Sequence, residues 1–138
     1  MTGSSVTVDT SVAIPALASW HEAHEVAREA CRAVTQLPAH VTLETISVLT
    51  RLPGGLALAP KAAVAVVRGK FPAEPFALDA SQYVALTDAV ADGGIRGGQL
   101  YDALVAATAR RHGVRLLSLD SRAVPTYQAI GVDYRLLR

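Results

Sequence analysis

Two kinds of hydrophobic pattern alternate along the chain. Short β-branched or apolar runs are typical of buried strands, and the runs at 5–9 and 114–120 each end in an aspartate. Longer segments with apolar residues three and four positions apart, as in 20–35, predict amphipathic helices. The predicted strands are 5–9, 74–79, 114–120 and 132–137, with a short strand within 36–40. The predicted helices are 10–19, 20–35, 41–52, 59–70, 80–94, 99–113 and a short piece within 121–131.

Helix-breaking residues divide these segments. The sequence PGG at 53–55 ends the third predicted helix, and Gly69 is expected to close the fourth. The paired glycines Gly93 and Gly94 stop the next helix. These helix-ending residues therefore support separate helices between the strands.

The alternation of strands and helices predicts the fold class. Such an order favours an α/β fold, here a three-layer α/β/α arrangement with a mainly parallel central sheet of four to five strands. The sequence contains no internal repeat, low-complexity tract or linker. Residues 1–138 are therefore expected to form a single domain.

Composition narrows the classes of function. Of the 138 residues, 51% are hydrophobic and 18% are charged, which fits a folded domain and not a disordered chain. A net charge of +1 excludes a globally basic nucleic-acid binder. The single cysteine, Cys31, permits no internal disulfide and fits a reducing compartment. No apolar run approaches the ~18 residues of a membrane span, and no signal peptide is evident, so we expect a cytoplasmic location and no membrane association.

Four carboxylates occupy positions that the fold would bring together. Asp9 and Asp120 each follow a predicted strand, and the carboxyl ends of parallel strands meet at one edge of a sheet. Asp102 lies in the first turn of the helix that precedes the Asp120 strand, which returns it to the same edge. Glu44 is the only charged residue in the first two turns of an apolar helix.

Each acid also has an ordinary explanation. Asp9 and Asp120 are placed to cap the helices that follow them, and Asp102 is favoured by the helix dipole. Glu44 fits a solvated helix position. All four together, however, indicate a cluster whose mutual repulsion needs a compensating cation. An all-oxygen ligand set suits Mg²⁺ or Mn²⁺.

The motifs around these acids resemble the PIN domain and, more narrowly, the VapC toxins of bacterial toxin–antitoxin pairs. The resemblance is carried by VTVDTSVAIPAL, TLETISVLTRL, GGQLYDALVAATARRHGVRLLSLD and YQAIGVDYRLL, in the family's order from about residue 5 onward. It implies a PIN-like fold and a metal-dependent endoribonuclease. In this family the positions of Asp9, Glu44, Asp102 and Asp120 hold one or two Mg²⁺ or Mn²⁺ ions for RNA hydrolysis.

The resemblance also assigns supporting residues and partners. Ser11 and Ser118 match hydroxyl positions near the metal, although a hydroxyl bonded to backbone is an equal alternative. Arg51 matches an arginine position whose role is either an ion pair near the site or a phosphate contact. Arg96 and Arg122 are candidates for RNA contact. The resemblance implies an RNA substrate, a VapB-like antitoxin and a homodimer.

Two other functions compete with the ribonuclease hypothesis. A non-catalytic PIN-like module would keep the fold and only bind its partners. A phospho-acceptor receiver domain also collects acids at strand ends, but it needs a lysine at a late strand end. The two lysines, Lys61 and Lys70, lie on or beside a mid-chain helix, which disfavours that alternative.

Overall fold

Three short strands form a parallel sheet in the computed structural model, which describes residues 5–138. The central strand β2 (Arg115–Ser118) pairs with β1 (Val6–Val8) on one side and with β3 (Tyr134–Leu136) on the other. Because all three strands run in the same direction, their carboxyl ends share one edge of the sheet. Residues 1–4, which the sequence places in the same domain, lie outside the described residues.

Helices flank this sheet and cover its apolar side chains. None of the helices described between residues 5 and 138 has the length and apolar character of a membrane-spanning segment. A single 3₁₀ turn, Ser121–Ala123, leads into the last helix. The helices are α1 (Thr10–Leu17), α2 (His24–Ala30), α3 (Ala39–Leu49), α4 (Pro60–Lys70), α5 (Ala80–Asp92), α6 (Gln99–Arg111) and α7 (Val124–Ile130).

The core lies between the sheet and the helices. Val8 of β1 and Leu116 of β2 are fully buried, as is Val12 of α1. On α6, Ala103 and Ala106 are also fully buried. Such small side chains let a helix approach its neighbours closely, so the first turn of α6 is brought near the carboxyl edge of the sheet.

The predicted α/β class is confirmed, but the prediction of four to five strands is wrong. The described chain contains three strands. The segments 36–40 and 74–79 do not form strands and meet in one isolated parallel bridge, between Pro38 and Phe76.

The contacts around this bridge explain why it does not extend into a ladder. Phe76 accepts a hydrogen bond from the N–H of Ala39 (2.7 Å) and donates one to the carbonyl of Leu37 (2.9 Å). α3 begins at Ala39, and the carbonyl of Glu74, which is the next acceptor in this register, instead accepts a bond from Nε2 of Gln36 (2.5 Å). The two segments are therefore held together over one residue pair only.

Two helices also differ from the prediction. The segment 20–35 is helical only over α2, because the N–H of Ala23 bonds instead to Nδ1 of His21 (3.0 Å) before the helix begins. Gly69 does not close α4, which continues through Lys70. A glycine followed by a helix-compatible residue weakens a helix without ending it.

Candidate active site

The ends of β1 and β2 bring Asp9 and Asp120 to one edge of the sheet. Val8 lies opposite Leu117 in the register, and the N–H of Asp9 donates to the carbonyl of Leu117 (3.2 Å). Asp9 is the N-cap residue of α1, yet its side chain makes no capping hydrogen bond. Helix capping therefore does not explain the carboxylate of Asp9, which is only 6% exposed.

Two hydroxyl groups hold the buried carboxylate of Asp9. Ser11 Oγ donates to Oδ1 (2.5 Å), and Tyr127 Oη donates to Oδ2 (2.6 Å). Burial raises the pKa of Asp9, and hydrogen bonds from Ser11, Ser118 and Tyr127 oppose that rise. In return, burial and the nearby charge of Asp9 raise the pKa of Tyr127 far above its usual range. Tyr127 therefore stays protonated and remains a donor.

Ser11 and Ser118 connect the site to the backbone that follows β2. Ser11 Oγ accepts a hydrogen bond from the N–H of Leu119 (2.8 Å), and Ser118 Oγ accepts one from the N–H of Asp120 (3.0 Å). The two hydroxyl oxygens are 3.4 Å apart. The two roles considered for these serines thus coexist, because each binds backbone and also lies beside the carboxylate of Asp9.

Asp120 has both of the roles that its sequence position allowed. Its Oδ1 accepts hydrogen bonds from the backbone N–H (3.0 Å) and from Nε (3.2 Å) of Arg122, so it caps the 3₁₀ turn. Its side chain is 30% exposed, whereas that of Arg122 is 91% exposed. Arg122 therefore lies at the rim, with its guanidinium directed to solvent beside an acid of the site.

Asp102 is in electrostatic contact with the other three acids. It lies in the first turn of α6 and is half-buried. Burial, followed by the charges of Asp120, Asp9 and Glu44 in that order, raises its pKa to about 6, while Arg122 opposes the rise. The uncompensated repulsion among the four acids is therefore felt most clearly at Asp102.

Glu44 comes from α3 and is tied to the start of α1. Thr10 Oγ1 donates to Oε1 of Glu44 (2.5 Å), and Nε2 of His40 lies 3.8 Å from the same oxygen. The side chain of Glu44 is 44% exposed, more than that of Asp120. Glu44 therefore forms the solvent-facing side of the acid group.

A cavity of about 100 Å³ collects these side chains. A larger groove of about 440 Å³ adjoins it and shares Thr10, Ser11 and Asp120 with it. The cavity is lined by Asp9, Thr10, Ser11, Glu44, Asp102, Val105, Asp120 and Tyr127.

The donor set of this cavity fits a divalent cation. All the acidic ligands are oxygens, and their mutual repulsion is relieved by a positive charge. Among residues 5–138, no three acidic, histidine or cysteine side chains are already close enough to form a complete metal site. An ion here is therefore expected to keep several water ligands, as Mg²⁺ commonly does.

The predicted supporting residue Arg51 and the RNA-contact candidate Arg96 are not brought into the cavity. Arg51 is exposed beyond the end of α3, where its Nε lies 3.5 Å from Ser47 Oγ. Arg96 is exposed in the loop between α5 and α6. Neither lines the cavity or the adjoining groove.

Sequence reasoning missed two residues that hold the site acids. For Thr10, a hydroxyl directly after a strand-end aspartate is a usable signal. Tyr127 gave no local signal, because its partner Asp9 is 118 positions away in the chain. Only the packing of α7 against the sheet edge identifies it.

Comparison with known proteins adds an independent finding. The family model described as the PIN domain matches residues 6–127, a range that includes every residue lining the cavity. Ribonuclease VapC40 of Mycobacterium tuberculosis is 44% identical over 129 residues, which cover 94% of this chain and 96% of that protein. Ribonuclease VapC27 of the same species is 46% identical over 127 residues, or 91% of each chain.

Proposed function

The chain belongs to the PIN-domain family and to its VapC-type group, and from this premise we propose that it is the ribonuclease toxin of a VapBC-type toxin–antitoxin pair. Its reaction is the hydrolysis of RNA phosphodiesters, as an endoribonuclease that depends on Mg²⁺ or Mn²⁺. The observation that carries this proposal is the lining of one cavity by Asp9, Glu44, Asp102 and Asp120.

Asp9, Asp102 and Asp120 are the residues proposed to hold the metal, directly or through water. When bound, a divalent ion lowers the pKa of water and neutralises charge on the phosphate. Ser11 and Tyr127 occupy one oxygen of Asp9 each, and so fix the direction in which its remaining lone pairs point.

Glu44 is proposed to complete the ligand shell or to take a proton from the attacking water. Its greater exposure places it where water and substrate enter the cavity. The hydrogen bond from Thr10 holds Oε1 of this carboxylate and leaves Oε2 without a side-chain donor among the described contacts. A general base must reach the water within hydrogen-bond distance, and a carboxylate that lines the cavity and is open to solvent is accessible to such a water.

The RNA backbone is proposed to approach from the rim that carries Arg122. The guanidinium of Arg122 is 91% exposed and lies beside Asp120, so it is available to a phosphate next to the acids. Arg96, in the exposed loop before α6, remains a second and more distant candidate. For Arg51 the two alternatives are an ion pair near the site and a contact with an RNA phosphate. The described contacts of Arg51 give no support to an ion pair with a site acid.

The proposed partners are a VapB-like antitoxin and a second copy of the chain, in the cytoplasm. Several large apolar residues are exposed, which is typical of surfaces that other proteins cover. Among them are Leu43 (69%), Val84 (63%) and Trp20 (53%). Co-expression with the product of the adjacent small gene, followed by purification and mass measurement, tests both assemblies.

Cleavage of RNA by the purified protein tests the proposed reaction. We expect cleavage of total RNA with Mn²⁺ or Mg²⁺, none with EDTA, and a loss of at least about a hundredfold in Asp9→Asn and Asp102→Asn, because each removes a ligand charge. Asp88→Asn is the matched control, since Asp88 is exposed on α5 and outside the cavity.

Sequencing the 5′ ends of the fragments then identifies the RNA that is cut. Cleavage in EDTA, or full activity in both site variants, contradicts the proposal. Binding of RNA without any cleavage under all metal conditions favours the non-catalytic module instead.

A further inference from the structure

An aromatic pair lies beside the acid cavity and takes no part in the core. The rings of His40 and Tyr101 are stacked, with centroids 5.1 Å apart and planes only 5° from parallel. His40 lies one helical turn before Glu44 on α3, and Tyr101 directly precedes Asp102 on α6. The two rings are thus carried by the same two helices that supply two of the site acids.

The His40 ring is held in place, and the Tyr101 ring stacked on it is exposed to solvent. Nε2 of His40 lies 3.8 Å from Oε1 of Glu44, which restrains the imidazole, and the His40 side chain is only 25% exposed. Tyr101 stacks on this ring with one face, yet 58% of the residue is exposed. An ordered, half-covered ring next to a cavity of acids offers a flat apolar surface to a ligand.

We propose that the His40–Tyr101 pair is a platform on which one nucleobase stacks, adjacent to the phosphate that is cleaved. This inference rests on the proposed ribonuclease function and deepens it. Carboxylates repel the RNA backbone, so beside Asp102 and Glu44 an uncharged contact supplies attraction that a phosphate contact would not. Every base has a π face, and base–aromatic stacking provides that contact without reading the sequence.

The pair and Arg122 offer two different kinds of contact to the substrate. Arg122 is paired with Asp120, where a phosphate is attracted, whereas Tyr101 stacks on His40 and directly precedes Asp102. A nucleotide held by its base on one side and by its phosphate on the other is oriented across the acids. The pair therefore acts in substrate positioning, and purines are expected to bind better because of their larger rings.

Two fluorescein-labelled probes separate the base contribution from the backbone contribution. The first is a 12-nucleotide oligoadenylate, and the second is a 12-mer of abasic ribose phosphate with the same charge. Fluorescence anisotropy gives the affinity for each in EDTA, and gel electrophoresis confirms that the probes stay intact. The variants are Tyr101→Leu, Tyr101→Phe and, as a matched control, Tyr83→Leu, because Tyr83 is similarly exposed (48%) but lies on α5.

Tyr101→Leu is expected to weaken oligoadenylate binding by about tenfold, the loss of one stacked base, and to leave abasic binding unchanged. Tyr101→Phe and Tyr83→Leu keep the affinity of the unmodified protein for both probes. A photo-crosslink from 4-thiouridine in an RNA 12-mer to residue 101 would support the platform directly.

Several outcomes overturn the platform. Equal affinity of Tyr101→Leu and the unmodified protein for oligoadenylate does so, as does a parallel loss for both probes. A change of oligomeric state in Tyr101→Leu with unchanged RNA affinity would show that the ring belongs to a protein interface. If base-dependent binding through Tyr101 persists in a protein that never cleaves RNA, the platform stands and the ribonuclease proposal fails.

Discussion

At the scale of single residues, the hydroxyl of Tyr127 illustrates how the site depends on a contact from the far end of the chain. It donates to Oδ2 of Asp9 at 2.6 Å in a fully enclosed setting. A hydrogen bond to a buried charged acceptor stabilises more than an ordinary one, and its loss leaves that acceptor unpaired. Tyr127 is therefore expected to position Asp9 without touching the substrate.

Tyr127→Phe removes only that hydroxyl. We expect a loss of about 2 kcal/mol in the free energy of unfolding, a roughly tenfold lower cleavage rate and a higher Mn²⁺ concentration for half-maximal activity. Urea unfolding and metal titrations of RNA cleavage measure these effects. Tyr134→Phe is the control, because its hydroxyl accepts a bond from exposed Gln128 (3.1 Å) and no site acid. An unchanged metal requirement in Tyr127→Phe would contradict the positioning role.

The raised pKa of Asp102 makes a second prediction at this scale, about the metal-free protein. Its pKa is about 6 when folded, against 3.8 for a free aspartate, so the folded state binds a proton more tightly between these values. The contribution of Asp102 to stability is therefore full below pH ~4 and falls as the pH rises to ~6. Above that range, the ionised carboxylate weakens the folded protein.

Asp102→Asn removes this penalty because an amide does not ionise. In EDTA at pH 7.5 we expect the variant to be more stable than the unmodified protein by about 1 kcal/mol, a value reduced for the solvent screening of a half-buried group. The difference should vanish near pH 4. Urea unfolding at pH 4, 5, 6 and 7.5 measures it, with Asp88→Asn as the control. Parallel stability profiles for Asp102→Asn and the unmodified protein would refute the assigned repulsion.

At the scale of elements, two glycines near helix ends have opposite roles. Gly69 lies within α4 with helical geometry, and a Cβ added there meets nothing within 4 Å. Gly131 ends α7 in the left-handed region, with φ of 84°, and its N–H bonds to the carbonyl of Tyr127 (3.0 Å). An L side chain is strained in that conformation.

Substituting alanine for each glycine separates these roles. Gly69→Ala is expected to raise the free energy of unfolding by about 0.5–1 kcal/mol, because it lowers the conformational entropy of the unfolded chain. Gly131→Ala is expected to lower it by about 1 kcal/mol or more. Thermal unfolding of the two variants tests the signs. Destabilisation by Gly69→Ala would show that α4 needs the glycine for a reason other than backbone freedom.

The same scale shows what local patterns are able to predict. The ends of β1 and β2 follow from apolar runs that stop at Asp9 and Asp120, so the sequence placed these two acids from short-range signals. The extra strands fail because α3 begins at Ala39 and because the side chain of Gln36 occupies the carbonyl of Glu74. That failure is visible only once the pairing partner is known.

At the scale of the whole molecule, the site is assembled from segments that are distant in the chain. One acid comes from each of four places: the residue after β1, α3, α6 and the segment after β2. The last helix, α7, contributes the hydroxyl of Tyr127. Carboxylates at strand ends and helix starts predict a cluster of acids, because parallel strands bring all their carboxyl ends to the same edge of the sheet. They do not predict which uncharged side chains orient the acids, since those contacts depend on how helices pack.

This assembly links folding to metal binding. The proposed cation, which binds the four acids only in the folded state, stabilises that state by mass action, and the relief of their repulsion is part of its binding free energy. At ten times its Kd, Mn²⁺ is expected to add about 1.4 kcal/mol and to raise the Tm by about 5 °C at pH 7.5. The rise in Tm should be smaller at pH 5.5, where protons compete for Asp102.

Differential scanning calorimetry with and without Mn²⁺ at the two pH values measures the rise in Tm, and Asp88→Asn should respond as the unmodified protein does. An undiminished Mn²⁺ response in Asp102→Asn would remove Asp102 from the proposed ligand set, whatever the variant's activity.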